Sequence, residues 1–388
     1  MDAFLTPEER TFRTQIRDAI ATLLPADLAR KTREAVHYSR EDMARWNAIL
    51  DARGWGAPHW PEDYGGSGWT AVQRFIFEAE CAAADAPPTS VFGIYLVGPT
   101  LYSFGTTDQK QRYLPGIRSG TQFWCQGYSE PQAGSDLAAV RTSARKVEGG
   151  WRISGQKAWT TEGHFADLMI CLARTDPAVK PQAGLSLFIL DMAAPGVTIT
   201  PVITIDGAHS VNCVFLDEVF VPEDALIGEV DKGWSYAKFL LNHERTNNAQ
   251  VHRSRREFER LKAMAALCRD ESGQIVLDAP GMRRRFALLE QRLCGLEVTV
   301  LRILIDQTEG RAPGPEASIV KIIGSVLQQA ITELAMEVFG TDAITAPESG
   351  GEIAGWTHRH LFRRVVTIYA GANEIQKTIV ARSTLELR

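Results

Sequence analysis

Hydrophobic positions in the first third of the chain recur with a helical period. Phe12, Ile16, Ile20 and Leu24 fall on one helix face, and the spacing resumes from Met43 to Leu50. Thr6, Pro7 and Glu9 supply a helix start: a capping hydroxyl, a ring that suits the first helical position, and a carboxylate three residues beyond the cap. A loop follows at Pro61-Glu62-Asp63-Tyr64-Gly65-Gly66-Ser67-Gly68, where glycines allow backbone angles that other residues resist. From residue 123 to 234 the period shortens to two. Trp151 to Ser154, Leu168 to Leu172, Leu185 to Leu190, Val197 to Ile205 and Val214 to Val221 read as strands broken by Gly, Pro and Asp. Many short strands in about 110 residues suggest a small barrel or sandwich. After Gly233-Trp234 the helical period returns. Ile319, Val320, Ile322, Ile323, Val326, Leu327, Ile331, Leu334 and Val338 mark one long helix, which Gly340 is placed to end. Ala312-Pro313-Gly314-Pro315 is the clearest linker. The pattern predicts an α+β chain, mainly α: a helical domain at 1–122, a β domain at 123–234 and a helical domain at 235–388.

Composition narrows the function. The 388 residues are 45% hydrophobic and 23% charged, as in a soluble globular protein with a large core. A net charge of −5 argues against nucleic acid as the main partner. Basic runs at Arg253 to Arg260, Arg283-Arg284-Arg285 and Arg359 to Arg364 read either as solvated helix faces or as docking points for phosphates. Six scattered cysteines without a CxxC pair suit reduced thiols, and the lone His358-x-His360 has no neighbours to complete a metal site. The N-terminus is charged with no apolar leader, and no run reaches the roughly 20 apolar residues of a membrane span. The expectation is a cytoplasmic protein with no metal and no membrane. No G-x-G-x-x-G fingerprint is present, so any nucleotide must be held by another device.

Two short runs carry the chemistry. The first is Trp124-Cys125-Gln126-Gly127-Tyr128-Ser129-Glu130-Pro131-Gln132-Ala133-Gly134-Ser135-Asp136-Leu137; the second is Gly155-Gln156-Lys157-Ala158-Trp159-Thr160-Thr161. Polar residues on Gly/Pro-rich turns, beside an aromatic and two hydroxyls at a strand end, suit a flat, hydrogen-bonding ligand. The pair resembles the flavin-binding signature of the acyl-CoA dehydrogenases. Further pieces match in the same order: Pro61 to Gly68, Phe104-Gly105, Gln109-Lys110, Tyr113-Leu114-Pro115, Gly228-Glu229, Gly233-Trp234 and Tyr369 to Arg382.

The resemblance implies an N-terminal helical domain, a middle β domain and a C-terminal four-helix bundle. It also implies FAD as cofactor, an acyl-CoA substrate and an electron-transfer flavoprotein as acceptor. Gln126, Tyr128 and Ser129 would line the flavin ring, Ser135 would sit near both flavin and substrate, and Trp159 and Thr161 would pack on the ring and bond near its reactive nitrogen. Gly340, Gly371 and Glu374 fall at further cofactor-binding positions. In the family a carboxylate removes the α-proton while the β-hydrogen leaves as hydride. Many members place it just after the tyrosine of the C-terminal motif, where this chain has Ala370, which cannot take a proton. A minority place it immediately before an arginine on a helix that follows the β domain. Here that position is Glu244, with Arg245 beside it to orient the site. The amide of Ala370 could still polarise the thioester carbonyl, because alanine supplies an N–H as glutamate does.

The half-site that the family draws from a neighbouring subunit departs from the pattern. A Gln-x-x-Gly-Gly element reads Glu337-Val338-Phe339-Gly340-Thr341, and an Arg-x-x-Phe-Gly element at Arg283 to Phe286 continues with Ala287, its register unsettled. Ala372 replaces a frequent threonine. A carboxylate near a pyrophosphate is repulsive. The resemblance is strongest to bacterial pimeloyl-CoA dehydrogenase large subunits and other heteromeric members. The assembly is then a homotetramer, or a heterotetramer with a homologous subunit that completes the FAD site. A non-catalytic scaffold and a flavin oxidase stay as rival readings. In the family, Val91 to Gly98 borders the acyl cavity; its glycines fit a wide substrate or plain packing.

Overall fold

The computed structural model describes residues 5–239, 249–309, 311, 314–345, 350–384 and 387. Its helices are α1 (Pro7–Leu23), α2 (Ala26–Glu34), α3 (Arg40–Asp51), α4 (Ala71–Ala83), α5 (Gly98–Phe104) and α6 (Thr107–Ser119), followed by eight strands. Beyond the strands come α7 (Val251–Ala265), α8 (Pro280–Thr308), α9 (Glu316–Phe339), α10 (Thr341–Thr345), α11 (Gly351–Phe362) and α12 (Asn373–Thr384). One local device starts several of them. Thr6 with Glu9, Ser39 with Asp42, Thr70 with Gln73 and Thr106 with Gln109 each form a reciprocal capping box, satisfying amides that the first helical turn leaves open.

The helices of the N-terminal third divide between two compact units. Residues 1–38 and 69–87 belong with 245–388, and residues 39–68 and 88–244 form the other unit. Linear order therefore does not set the packing. In the helical unit, Phe75, Phe258, Leu293, Leu327, Leu334 and Trp356 share one core. The helix α9 has the length and composition of a membrane span, contrary to the sequence expectation, and more than half of that window is buried inside the fold. Its apolar character serves this core.

The run Arg283 to Arg285 is exposed, as a solvated face is, whereas the other two runs bind carboxylates within the helical unit. Arg256 donates to both oxygens of Asp85 at 2.8 Å, Arg255 to both oxygens of Glu297 at 2.8 Å, and Arg363 to the buried Glu257 at 3.0 Å. Arg283 reaches Asp278 at 2.7 Å, and Arg285 pairs with Glu337. Guanidinium forks match carboxylates as well as they match phosphates, and here Arg255, Arg256 and Arg363 hold distant parts of the helical unit together.

The second unit holds the sheet: β1 (Trp124–Gly127), β2 (Ser143–Val147), β3 (Gly150–Thr161), β4 (Leu168–Arg174), β5 (Leu185–Asp191), β6 (Val197–Ile203), β7 (His209–Pro222) and β8 (Leu226–Ile227). They run in the order β6-β7-β3-β2-β4-β5-β8, with β1 parallel to β4. The halves β6-β7-β3-β2 and β4-β5-β8 are antiparallel within themselves and meet through one parallel pair, Ser143 and Arg174. Ile170, Leu172, Leu187, Leu190, Val214 and Val219 from both halves are fully buried in a shared core, which is the sandwich-like solution for sheets with one apolar face.

Candidate active site

The fold brings the two signature runs together. The amide of Ala158 donates to the carbonyl of Ser129 at 2.9 Å, joining the second run to the first. Beneath that bond lies a buried ion pair: Lys157 Nζ donates to Glu130 Oε1 at 2.9 Å, to Leu172 O at 2.7 Å and to Tyr128 O at 3.3 Å. Their side chains are 0% and 2% exposed. Glu130 also accepts from the amides of Arg141 (2.6 Å) and Thr142 (2.9 Å) and from Gln132 Nε2 (2.9 Å). Burial alone would push this carboxyl up; the charge of Lys157 and the amide donors hold it below its ordinary value. Lys157 and Glu130 stand inside the two quoted runs, yet sequence reasoning gave them no part. A Lys and a Glu read as surface residues until the strand alternation turns Lys157 inward.

Lys157 pairs with Val214 across the β3–β7 ladder, and Thr160 with Asn212. Two β3 residues therefore oppose one on β7, a bulge at Ala158-Trp159. Trp159 takes φ +61°, a left-handed conformation that a bulky residue rarely holds. Bulges re-aim side chains, and this indole is 63% exposed at the strand end. Thr161 and Ser129 are half-buried, Tyr128 is buried, and Ser135 lies exposed on the intervening turn. Gln126, on β1, has a buried Nε2 with no hydrogen-bond partner among the described residues. An open buried amide on β1 and an outward indole at the end of β3 are groups that suit the hydrogen-bonding edge and flat face of a flavin.

In the helical unit, Gly340 ends α9 at φ +53°, its amide donating to Met336 O at 2.9 Å. Glu337 one turn earlier is paired with Arg285 of α8, so its charge is compensated within the chain. Ala370 sits at φ +52° and Gly371 at φ +83°, together forming a sharp bend after Tyr369. At φ +83° any side chain on residue 371 would be strained, which favours glycine there. Asn373 locks the bend: its amide donates to Thr367 O at 2.9 Å, and its buried side chain meets Lys321 Nζ and Ser325 Oγ at 2.9 Å. The amide of Ala370 donates to no atom among the described residues. Glu374 lies exposed at the start of α12. Glu244 and Arg245 lie outside the described residues.

The Val91 to Gly98 segment winds as a π-helical turn over Val91–Val97, then becomes α5. A Cβ on Gly98 would fall 2.1 Å from the ring of Trp60. That glycine answers to packing. The structure gives no reason to read it as making room for a substrate.

Comparison with known proteins shows the family. The N-terminal, middle and C-terminal domain models of acyl-CoA dehydrogenases match residues 6–121, 125–218 and 231–385. The chain belongs to the acyl-CoA dehydrogenase family, enzymes that use FAD to oxidise CH–CH groups. It is similar to the Mycobacterium tuberculosis acyl-CoA dehydrogenase IpdE1, with 37% identity over 97% of each chain. Among solved structures it resembles the ChsE4-ChsE5 complex from M. tuberculosis, with TM-score 0.86, 30% identity, and 99% of this chain and 98% of that one covered. It also resembles the Tcur3481-Tcur3483 steroid ACAD, with TM-score 0.88, 29% identity and full coverage of both chains.

Proposed function

We propose that this protein removes the α and β hydrogens of an acyl-CoA thioester to give the 2,3-enoyl-CoA, with Glu244 as base. Bound FAD supplies the two-electron acceptor, from which an electron-transfer flavoprotein draws electrons. Gln126, Tyr128, Ser129 and Thr161 supply polar contacts along the ring, and Trp159 walls one face. Ser135 serves cofactor and substrate, and Gly340, Gly371 and Glu374 serve the remainder of the cofactor. The amide of Ala370 is assigned to the thioester carbonyl, a hydrogen bond that strengthens as negative charge develops on that oxygen. Arg245 orients the carboxylate of Glu244. The domain limits stay at 1–122, 123–234 and 235–388 in this reading.

The observation that carries the proposal is the bulge at Trp159. A strained, exposed indole stands next in sequence to a residue bonded to the first run and two residues from a buried ion pair, an arrangement that costs stability without a ligand to use it. The assembly is read as heteromeric, with a homologous subunit completing the FAD site. The two-component names of the similar structures support this. A subunit of this kind, acting on steroid-derived thioesters, is the preferred substrate reading.

The test is the visible absorption of the protein purified alone and after co-expression with a homologous subunit. A flavin band that reaches stoichiometry only with the partner supports the shared site. A full complement alone supports a homo-oligomer. No flavin under either condition overturns the proposal.

A further inference from the structure

Something must hold Trp159 in its left-handed turn, and Lys157 secures only the upstream side. On the downstream side stands Asn212, fully buried on β7 directly across from Thr160. Its Nδ2 donates to the carbonyl of Thr160 at 3.0 Å and to His164 Nδ1 at 3.2 Å. His209 Nε2 donates to its Oδ1 at 2.7 Å. Both amide hydrogens and the carbonyl are thereby engaged. The two imidazoles stack with ring centres 4.1 Å apart. A buried carboxamide in a strand is costly unless its hydrogen bonds are made. Here they are made at the residue that follows the bulge.

We infer that Asn212 is a positioning residue for the flavin wall: its carboxamide fixes the Thr160 carbonyl and so sets the Trp159 turn, while His164 is the acceptor that keeps the carboxamide correctly turned. The inference rests on the reading of Trp159 as that wall. The bond from Asn212 requires Nδ1 of His164 to be unprotonated and so open as acceptor. Burial, with the neighbouring His209, pushes His164 below its ordinary value, which favours that form. Asn212 escaped sequence reasoning because nothing in Val211-Asn212-Cys213 marks it; only the bulge register places it opposite Thr160.

The test reads the fluorescence of the bound flavin in the holoprotein, expressed with the homologous subunit where loading needs it. An indole packed on a flavin quenches its emission by electron transfer, so the signal follows Trp159 without requiring the substrate. Trp159→Gly sets the unquenched level. In Asn212→Leu and His164→Leu, emission per bound flavin is expected to rise at least halfway to that level. His164→Asn, whose side-chain oxygen can replace Nδ1 as acceptor, is expected to stay at the parent level. Parent-level emission in both folded leucine variants overturns the inference, as does a rise in His164→Asn equal to that in His164→Leu. If Asn212→Leu does not fold, the two His164 variants decide alone. Unchanged emission in Trp159→Gly would instead remove the reading of Trp159 itself, and the role of Asn212 with it.

Discussion

Trp159 and Ala370 are both side-chain-bearing residues in left-handed backbone, one at the end of a strand and one after a helix. Trp159 is held by bonds on either side, from Ala158 to Ser129 and from Asn212 to Thr160, and its strain places a large ring outward. Ala370 presents almost no side chain. Its bend is fixed from outside by Asn373, and what it offers is an amide. In the proposed function the side chain acts at the first position and the backbone at the second. That difference explains how a chain can lose the expected carboxylate at 370 and keep the local geometry, with the base read at another position on the chain.

The largest effect that would break this comparison concerns the base. Glu244→Gln is expected to slow flavin reduction by acyl-CoA about 10²–10⁴-fold while leaving bound flavin in place, read by anaerobic bleaching of the flavin band. Near-normal bleaching would return the base to some other group. Next comes the support of the Trp159 turn. Lys157→Met leaves Glu130 buried without its cation and is expected to cost about 3–5 kcal/mol by urea unfolding, whereas Lys157→Met combined with Glu130→Leu recovers most of that loss.

The same pair gives a pH dependence. Glu130 titrates lower in the fold than in the unfolded chain, so its stabilisation is complete above the ordinary carboxylate pKa of about 4.3 and is lost as pH falls through the lower folded value. The double variant is expected to show a shallower loss of melting temperature on the acid side. Ala370→Gly relieves left-handed strain and is expected to change stability by no more than about 1 kcal/mol, in the stabilising direction, without altering flavin content. Smallest of all, Glu337→Gln removes a half-exposed ion pair with Arg285 and is expected to shift stability by less than about 1 kcal/mol.

Much of this protein was legible from its residue order. The capping box at Thr6, the β strands between 124 and 222 and the long helix ended by Gly340 are local patterns, and local patterns follow from hydrogen-bond capping and side-chain periodicity. The same patterns missed the carboxylate partners of the runs at Arg253 to Arg260 and Arg359 to Arg364, because a charged face looks identical whether it meets water or carboxylates elsewhere in the fold. They were silent on Lys157 with Glu130 and on Asn212. Those partnerships span 27 residues for the ion pair and 52 for the bond from Asn212 to Thr160, and a bulge register selects which side chains meet. The amino-acid order thus determined the elements, the family and the chemistry on offer. Packing alone determined which buried polar groups find each other, since desolvation makes such groups costly until a distant partner arrives.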